Sequence, residues 1–150
     1  MAETITALSQ QLFDSLQQEA FALLGTVDHE SGGPGVNAIS WLFAVDEKTV
    51  RFAVDARSRI VANIRNNPQV NLTYIGAGSV HAIYGEAALV TEALEEVPFK
   101  LACFDIGVTS VRDAMFYGAR ISCAPEYEKT YDKRAADKLD TQVFHAMKKA

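Results

Sequence analysis

The sequence predicts a mainly β protein, a β-barrel with peripheral helices, and three observations carry that expectation. Six stretches of strand length alternate apolar and polar residues or run apolar on both faces. Several are joined by short segments of turn-forming composition, H-E-S-G-G-P-G at 29–35, D-E-K at 46–48 and G-A-G at 76–78, as antiparallel neighbours are. The longest helical patterns stand at the two ends of the chain, so helices flank the barrel instead of alternating with its strands. A chain of 150 residues, 49% hydrophobic and 22% charged, is expected to fold as a single domain over 1–150 with a substantial core.

In order, residues 4–18 place Ile5, Leu8, Leu12 and Leu16 on one face of an amphipathic helix. Residues 21–28 are apolar on both faces, as a strand covered on both sides would be. The glycine-rich 29–35 lacks Lys-Ser or Lys-Thr and precedes no helix, so it reads as a hairpin tip and not as a phosphate loop. Residues 36–45 form the second strand, with Asn37, Ile39, Trp41 and Phe43 on one side, and pair with 49–55 as a hairpin. Residues 70–75 and 79–90 are the fourth and fifth strands, and Gly85 suggests a bulge or a close backbone approach. Residues 92–104 and 111–117 carry helical patterns, the second capped by Thr109 or Ser110. Residues 119–124 and 126–131 give a sixth strand interrupted at Pro125. Residues 132–149 close the chain as a helix with Ala135, Leu139, Val143 and Met147 in a stripe.

The stretch 49–68, T-V-R-F-A-V-D-A-R-S-R-I-V-A-N-I-R-N-N-P, organises the rest. Val50, Phe52 and Val54 alternate along a strand, then Ile60, Val61 and Ile64 take helical spacing until Pro68. Asp55, Arg57, Ser58 and Arg59 therefore crowd the entrance of a helix. Free N–H groups and a partial positive charge favour an anion there, and two arginines with a serine hydroxyl add directed donors. The same residues also suit a capped surface helix with solvated arginines.

Composition excludes several classes. A net charge of −5 with no basic block argues against nucleic-acid or anionic-membrane binding. No apolar run approaches bilayer-spanning length, and the first residues lack a signal-peptide pattern, so a cytoplasmic location is expected. Cys103 and Cys123 are not in a C-x-x-C arrangement and read as buried thiols. His29, His81 and His145 are too scattered to suggest a metal site, and none is expected. His81 reads as a satisfied strand residue.

The 49–68 stretch resembles a segment of the pyridoxamine 5'-phosphate oxidase-like flavoproteins, in which a strand ends in a Ser-Arg-Lys turn and a helix closes with Asn-Pro. Ser58, Arg59 and Ile60, then Asn66, Asn67 and Pro68, stand at those positions, and the resemblance spans about 21–90. It implies a split β-barrel of the FMN-binding type, a homodimer with FMN at the subunit interface, and a small-molecule substrate or electron donor. Ile60 departs from the lysine of that motif, and Ala38 and Phe43 stand where the oxidases proper carry basic residues. The resemblance thus implies flavin binding more firmly than that oxidase reaction. The expected cofactor contacts are Arg57, Ser58 and Arg59 at the phosphate, with Ala38, Ser40, Trp41, Ala53, Val54 and Asp55 along the ring. No side chain stands out as an acid, base or nucleophile. An FMN-dependent oxidoreductase is the leading expectation, and the alternatives are a flavin carrier or stress protein without turnover, or a haem or deazaflavin binder on the same barrel.

Overall fold

The structure, a computed structural model, describes residues 4–150. Its elements are α1 (Gln10–Ser15), β1 (Ala22–Val27), β2 (Pro34–Ile39), β3 (Leu42–Asp46), β4 (Thr49–Asp55), α2 (Arg59–Asn66), β5 (Gln69–Gly76), β6 (Ser79–Thr91), β7 (Leu101–Asp113) and α3 (Lys133–Lys149). All seven strands lie in one antiparallel sheet of order β2-β1-β5-β6-β7-β4-β3. The two edge strands, β2 and β3, are separated in sequence by only Ser40 and Trp41. Two residues cannot span a seven-stranded flat sheet, so the sheet curls until its edges meet at that corner. The result is a split barrel.

Alternation fills the barrel interior. Leu24, Val50, Phe52, Leu72, Ile83, Phe104 and Ile106 are each 2% exposed or less, and the Phe52 and Phe104 rings stack at 5.4 Å. Ile60, Val61 and Ile64 of α2 and Leu8, Leu12 and Leu16 around α1 join the same core. Truncating one such leucine to alanine removes about 2–5 kcal/mol of stability. A second core lies outside the barrel, where Val143, Ala146 and Met147 of α3 cover Phe43, Ala53, Leu101 and Cys103. Arg51 anchors that helix by donating to the Met147 and Ala150 carbonyls while paired with Asp105 at 2.7 Å.

Four expectations are corrected. The first helix is confined to Gln10–Ser15, because Ile5 runs extended in a bridge with Val111 and Ser9 caps the helix by accepting from Leu12 N–H. Residues 36–45 are two strands, since the barrel corner at Ser40–Trp41 hands the chain from β1 to β4. The helices expected over 92–104 and 111–117 are absent; Leu101–Asp113 is the long strand β7 between β6 and β4. Burial on both faces where α3 covers the sheet makes its sequence imitate a helix, and Thr109 donates to the Tyr84 carbonyl instead of capping. Residues 119–131 form no strand, as alternation without a sheet edge to pair with does not make one. Smaller shifts follow geometry: β1 alternates buried and half-buried, and Ala136 takes the place of Ala135 in the α3 stripe, since a strict four-residue repeat drifts off a 3.6-residue turn. The Gly85 bulge is present, and a Cβ there would run into the Gly107 carbonyl.

Candidate functional site

The predicted contact residues fall into two separate regions. At the end of β4, Asp55 turns the chain by accepting from Arg57 N–H at 2.8 Å, and its carboxylate also holds the Arg57 guanidinium at 3.3 Å. Ser58 caps α2, its hydroxyl oxygen accepting from Ile60 N–H at 3.1 Å. Arg59 reaches across to the β1–β2 hairpin tip, where Asp28 receives it at two contacts, 2.6 and 3.0 Å, and Glu30 at 3.3 Å. Asp28 is held for this by the amides of Ser31 and Glu30. The Arg59 guanidinium, then those amides, keep its carboxyl well below the usual carboxylate range. Three carboxylates thus face two guanidiniums, and the cluster carries a net negative charge. Ile60 points into the core, 4% exposed, so no side chain at that position faces outward.

Beneath this cluster, Asn63 of α2 is 3% exposed and fully engaged. Its amide donates to Thr26 Oγ1 at 2.9 Å, while its oxygen accepts from His29 N–H at 2.9 Å and meets His29 Nδ1 at 2.8 Å. This buried polar joint fixes the hairpin tip against α2.

The second region is a cleft of about 440 Å³ at the β2–β3 corner. It is lined by Ala38, Ser40 and Trp41 together with Phe21, Tyr127 and Tyr131, and Lys129 and Asp140 are its charged members. Asp140 accepts from the Trp41 indole N–H and from Lys129, both at 2.9 Å; Lys129 also pairs with Glu19 at 3.1 Å. Burial opposes the charge on Lys129, but hydrogen bonds to Asp140 and Glu19 outweigh it and hold the ammonium above its usual range. Tyr127 packs edge-on to Phe21 at 5.5 Å and donates to Glu19 at 3.1 Å; burial, then that carboxylate, pushes its hydroxyl up to about 12. A neighbouring hollow of about 700 Å³ shares Phe21, Tyr127 and Lys129 but is walled by Glu19, Glu126, Glu128 and Asp137, a poorer surface for an aromatic ring.

Ala53 and Val54 stand in neither region. They occupy opposite faces of β4, Ala53 under α3 and Val54 inside the barrel, at 2% and 6% exposure. Ala53 N–H is committed to the Trp41 carbonyl at 3.0 Å. Asp55, Arg57, Ser58 and Arg59 share the α2 entrance, while Ala38, Ser40 and Trp41 share the cleft.

His81 is satisfied by the Gly76 carbonyl at 3.0 Å and stacks on Tyr74. Among the described residues no group of three or more His, Cys, Asp or Glu could hold a metal ion. Cys103 is buried, its thiol pushed up to about 11 by that burial; Cys123 is exposed, against expectation, because its segment packs as a loop. No helix of the described residues is long and apolar enough to cross a membrane.

The model of the pyridoxamine 5'-phosphate oxidase family matches residues 8–114. The chain belongs to that family. Solved structures of the same fold include HupZ of Group A Streptococcus, 19% identical, covering 77% of this chain and 99% of that one with a TM-score of 0.61. A pyridoxamine 5'-phosphate oxidase-like protein of Lactobacillus delbrueckii is 14% identical over 71% of this chain and 94% of that one, TM-score 0.61. General Stress Protein 26 of Bacillus anthracis str. Sterne is 14% identical over 68% and 89%, TM-score 0.56. At these identities the likeness is one of fold. No protein in a search of curated proteins matches.

The family match ends at residue 114, so Tyr127, Lys129, Tyr131 and Asp140 of the cleft lining lie beyond it. Sequence reasoning missed all four, and it also missed Asp28 and Asn63. A signal exists for three of them: Y-E-K-T-Y at 127–131 puts Tyr127, Lys129 and Tyr131 on one side of an extended segment. Asn63, on the apolar side of α2 beside Ile60 and Ile64, is a second legible clue.

Proposed function

We propose that the protein binds a flavin-class cofactor in the β2–β3 cleft and serves as an oxidoreductase for a small molecule. The observation that carries this reading is the lining of the cleft: small residues Ala38 and Ser40 together with the aromatic rings of Trp41, Phe21, Tyr127 and Tyr131. Small residues let a flat ring approach the backbone, and aromatic faces cover it. β2 is an edge strand, so among the described residues no strand pairs with its outer row of N–H and C=O groups, which suits the polar end of such a ring. Family membership supports the same reading. A bound flavin would supply the redox chemistry. The chain's own residues would bind and orient it, with Asp140 fixing the Trp41 indole and the Lys129 ammonium at its side.

Against the parts of FMN, the two regions divide. The cleft suits the ring. The α2 entrance does not suit a phosphate, because its guanidiniums are already taken by an excess of carboxylates.

Trp41 is the only tryptophan, so its fluorescence reports directly on the cleft. Titration with riboflavin or FMN should quench it saturably with one flavin per chain, and the loaded protein should be reducible by a chemical reductant and reoxidised by an acceptor. Saturable binding without reduction would leave a carrier; no quenching by either flavin would end the flavin reading.

The reading includes a homodimer. Val36, Gly25, Asn71 and Tyr84 are register partners across β2, β1, β5 and β6. They form one row on the outer sheet face, with Val36 65% and Tyr84 38% exposed. A second copy seated there would cover apolar surface next to Ala38. Sedimentation at micromolar concentration should give the dimer mass and Val36→Lys the monomer. A monomer that binds flavin as tightly as the parent would remove the shared-site part.

A further inference from the structure

We infer that the α2 entrance is an anion site already filled by the chain's own carboxylate, Asp28, so that a flavin here is held by its ring and a phosphate adds nothing. This rests on the flavin reading above and narrows its ligand class to the unphosphorylated ring system, with FMN accepted only as well as riboflavin.

A phosphate at a helix entrance needs free N–H donors and uncompensated positive charge. Both guanidiniums the sequence supplies there are paired within the chain. Arg59 spends Nε and one terminal nitrogen on the two oxygens of Asp28 and its other terminal nitrogen on Glu30. Arg57 is folded back onto Asp55 through its backbone N–H and its guanidinium. The Ile60 amide is satisfied by Ser58. Asp28 is not a chance neighbour: the Ser31 and Glu30 amides aim it, and the Asn63–His29 joint pins the hairpin tip that carries it to α2. The two-point contact of Asp28 with Arg59 has the planar fork geometry that a phosphate would otherwise receive. A phosphate entering here would have to expel Asp28 and then sit beside three carboxylates. With Ile60 in the core, position 60 supplies no further cation to offset them.

The experiment uses three probes on the full chain. Inorganic phosphate is titrated into the wild type while the Arg59 Nε–H and the amides of Ser58 and Ile60 are followed by NMR. No saturable shift is expected, and a saturable one overturns the inference whether or not a flavin binds. Riboflavin and FMN are then compared by Trp41 quenching, and their affinities should agree within about threefold. FMN tighter by about tenfold or more, with the advantage lost in Arg59→Ala, overturns the inference. Finally, Asp28→Asn keeps an acceptor for the Ser31 and Glu30 amides but frees Arg59. It should let phosphate shift the Arg59 signal and give FMN about a tenfold advantage over riboflavin, the worth of one charge-assisted hydrogen bond. A folded Asp28→Asn protein without either gain means that Asp28 does not fill the site. If that variant fails to fold, the wild-type phosphate titration decides alone. If neither flavin binds, the flavin reading fails, while the phosphate arm still tests whether the anion site is occupied.

Discussion

The α2 entrance and the β2–β3 cleft both lie where a strand gives way to something else, yet one is closed and the other open. At the α2 entrance every charge has found an opposite charge within the chain: Arg57 with Asp55, Arg59 with Asp28 and Glu30. At the cleft the charges also pair, Lys129 with Asp140 and Glu19, but the aromatic and small residues around them still border open space. Aromatic faces and an edge-strand backbone remain available where arginines do not. Here the chain fold, not the local motif, decides whether an arginine is left unpaired for a ligand.

The sharpest way to break this contrast is to fill the cleft. Ala38 is exposed on its wall, so Ala38→Trp should fold with little change in stability. The added indole takes the space of the ring, and flavin affinity should fall by about a hundredfold or more. The matching change at the α2 entrance, Arg59→Ala, should move riboflavin affinity by less than about threefold, because the broken pair is a half-exposed one far from the ring. Comparable losses in the two variants would mean that the regions act as one site.

A smaller effect tests the joint that separates them. Asn63→Ala leaves the Thr26 hydroxyl and the His29 amide without their buried partner. The expected cost is about 2–3 kcal/mol, read as a lower urea midpoint at unchanged slope. Cleft binding by the remaining folded protein should be unaltered. A loss within about 0.5 kcal/mol would show that water replaces the amide and that the joint does not define the hairpin tip.

The barrel was legible because hairpins write themselves locally: the turn at 76–78 and the alternation of Val50, Phe52 and Val54 need no distant information. β7 was not, since its central place between β6 and β4 comes from non-local pairing, and a strand buried on both faces loses the two-residue period. The site was half legible for a similar reason. Ala38, Ser40 and Trp41 were expected from the motif context, but Tyr127, Lys129, Tyr131 and Asp140 join them in the cleft from about 90 residues further along, on a loop and α3. Arg59 was correctly placed at the helix entrance, and nothing in its neighbourhood in sequence announces Asp28, which the hairpin brings from the other side. Burial of Ala53 beneath α3 was equally a property of the tertiary fold.

The smallest effect is the pH dependence of the closed cluster, and its sign distinguishes it from the cleft. Asp28 is depressed in the folded protein by Arg59 and by the Ser31 and Glu30 amides. The stability it contributes is therefore complete above the unfolded carboxyl value, about 3.9, and is lost as pH falls through the lower folded value. Lys129 runs the other way: raised when folded, it contributes fully below about 10.4 and loses that contribution as pH rises further. The cleft's ion pairs are thus sensitive to alkali through Lys129, which the arginine-held pairs at the α2 entrance are not. Wild type and Asp28→Asn should differ in stability by a constant amount from about pH 8 down to about pH 5, and the gap should then narrow steadily below pH 4. Added salt should reduce the gap as well, because the Arg59 side chain is 53% exposed and its pairing is screened. Urea unfolding of both proteins across that range measures it. A gap that stays constant to pH 2.5, or one that widens in acid, would mean that Arg59 does not hold the Asp28 carboxylate, and the closed state of the entrance would need another cause.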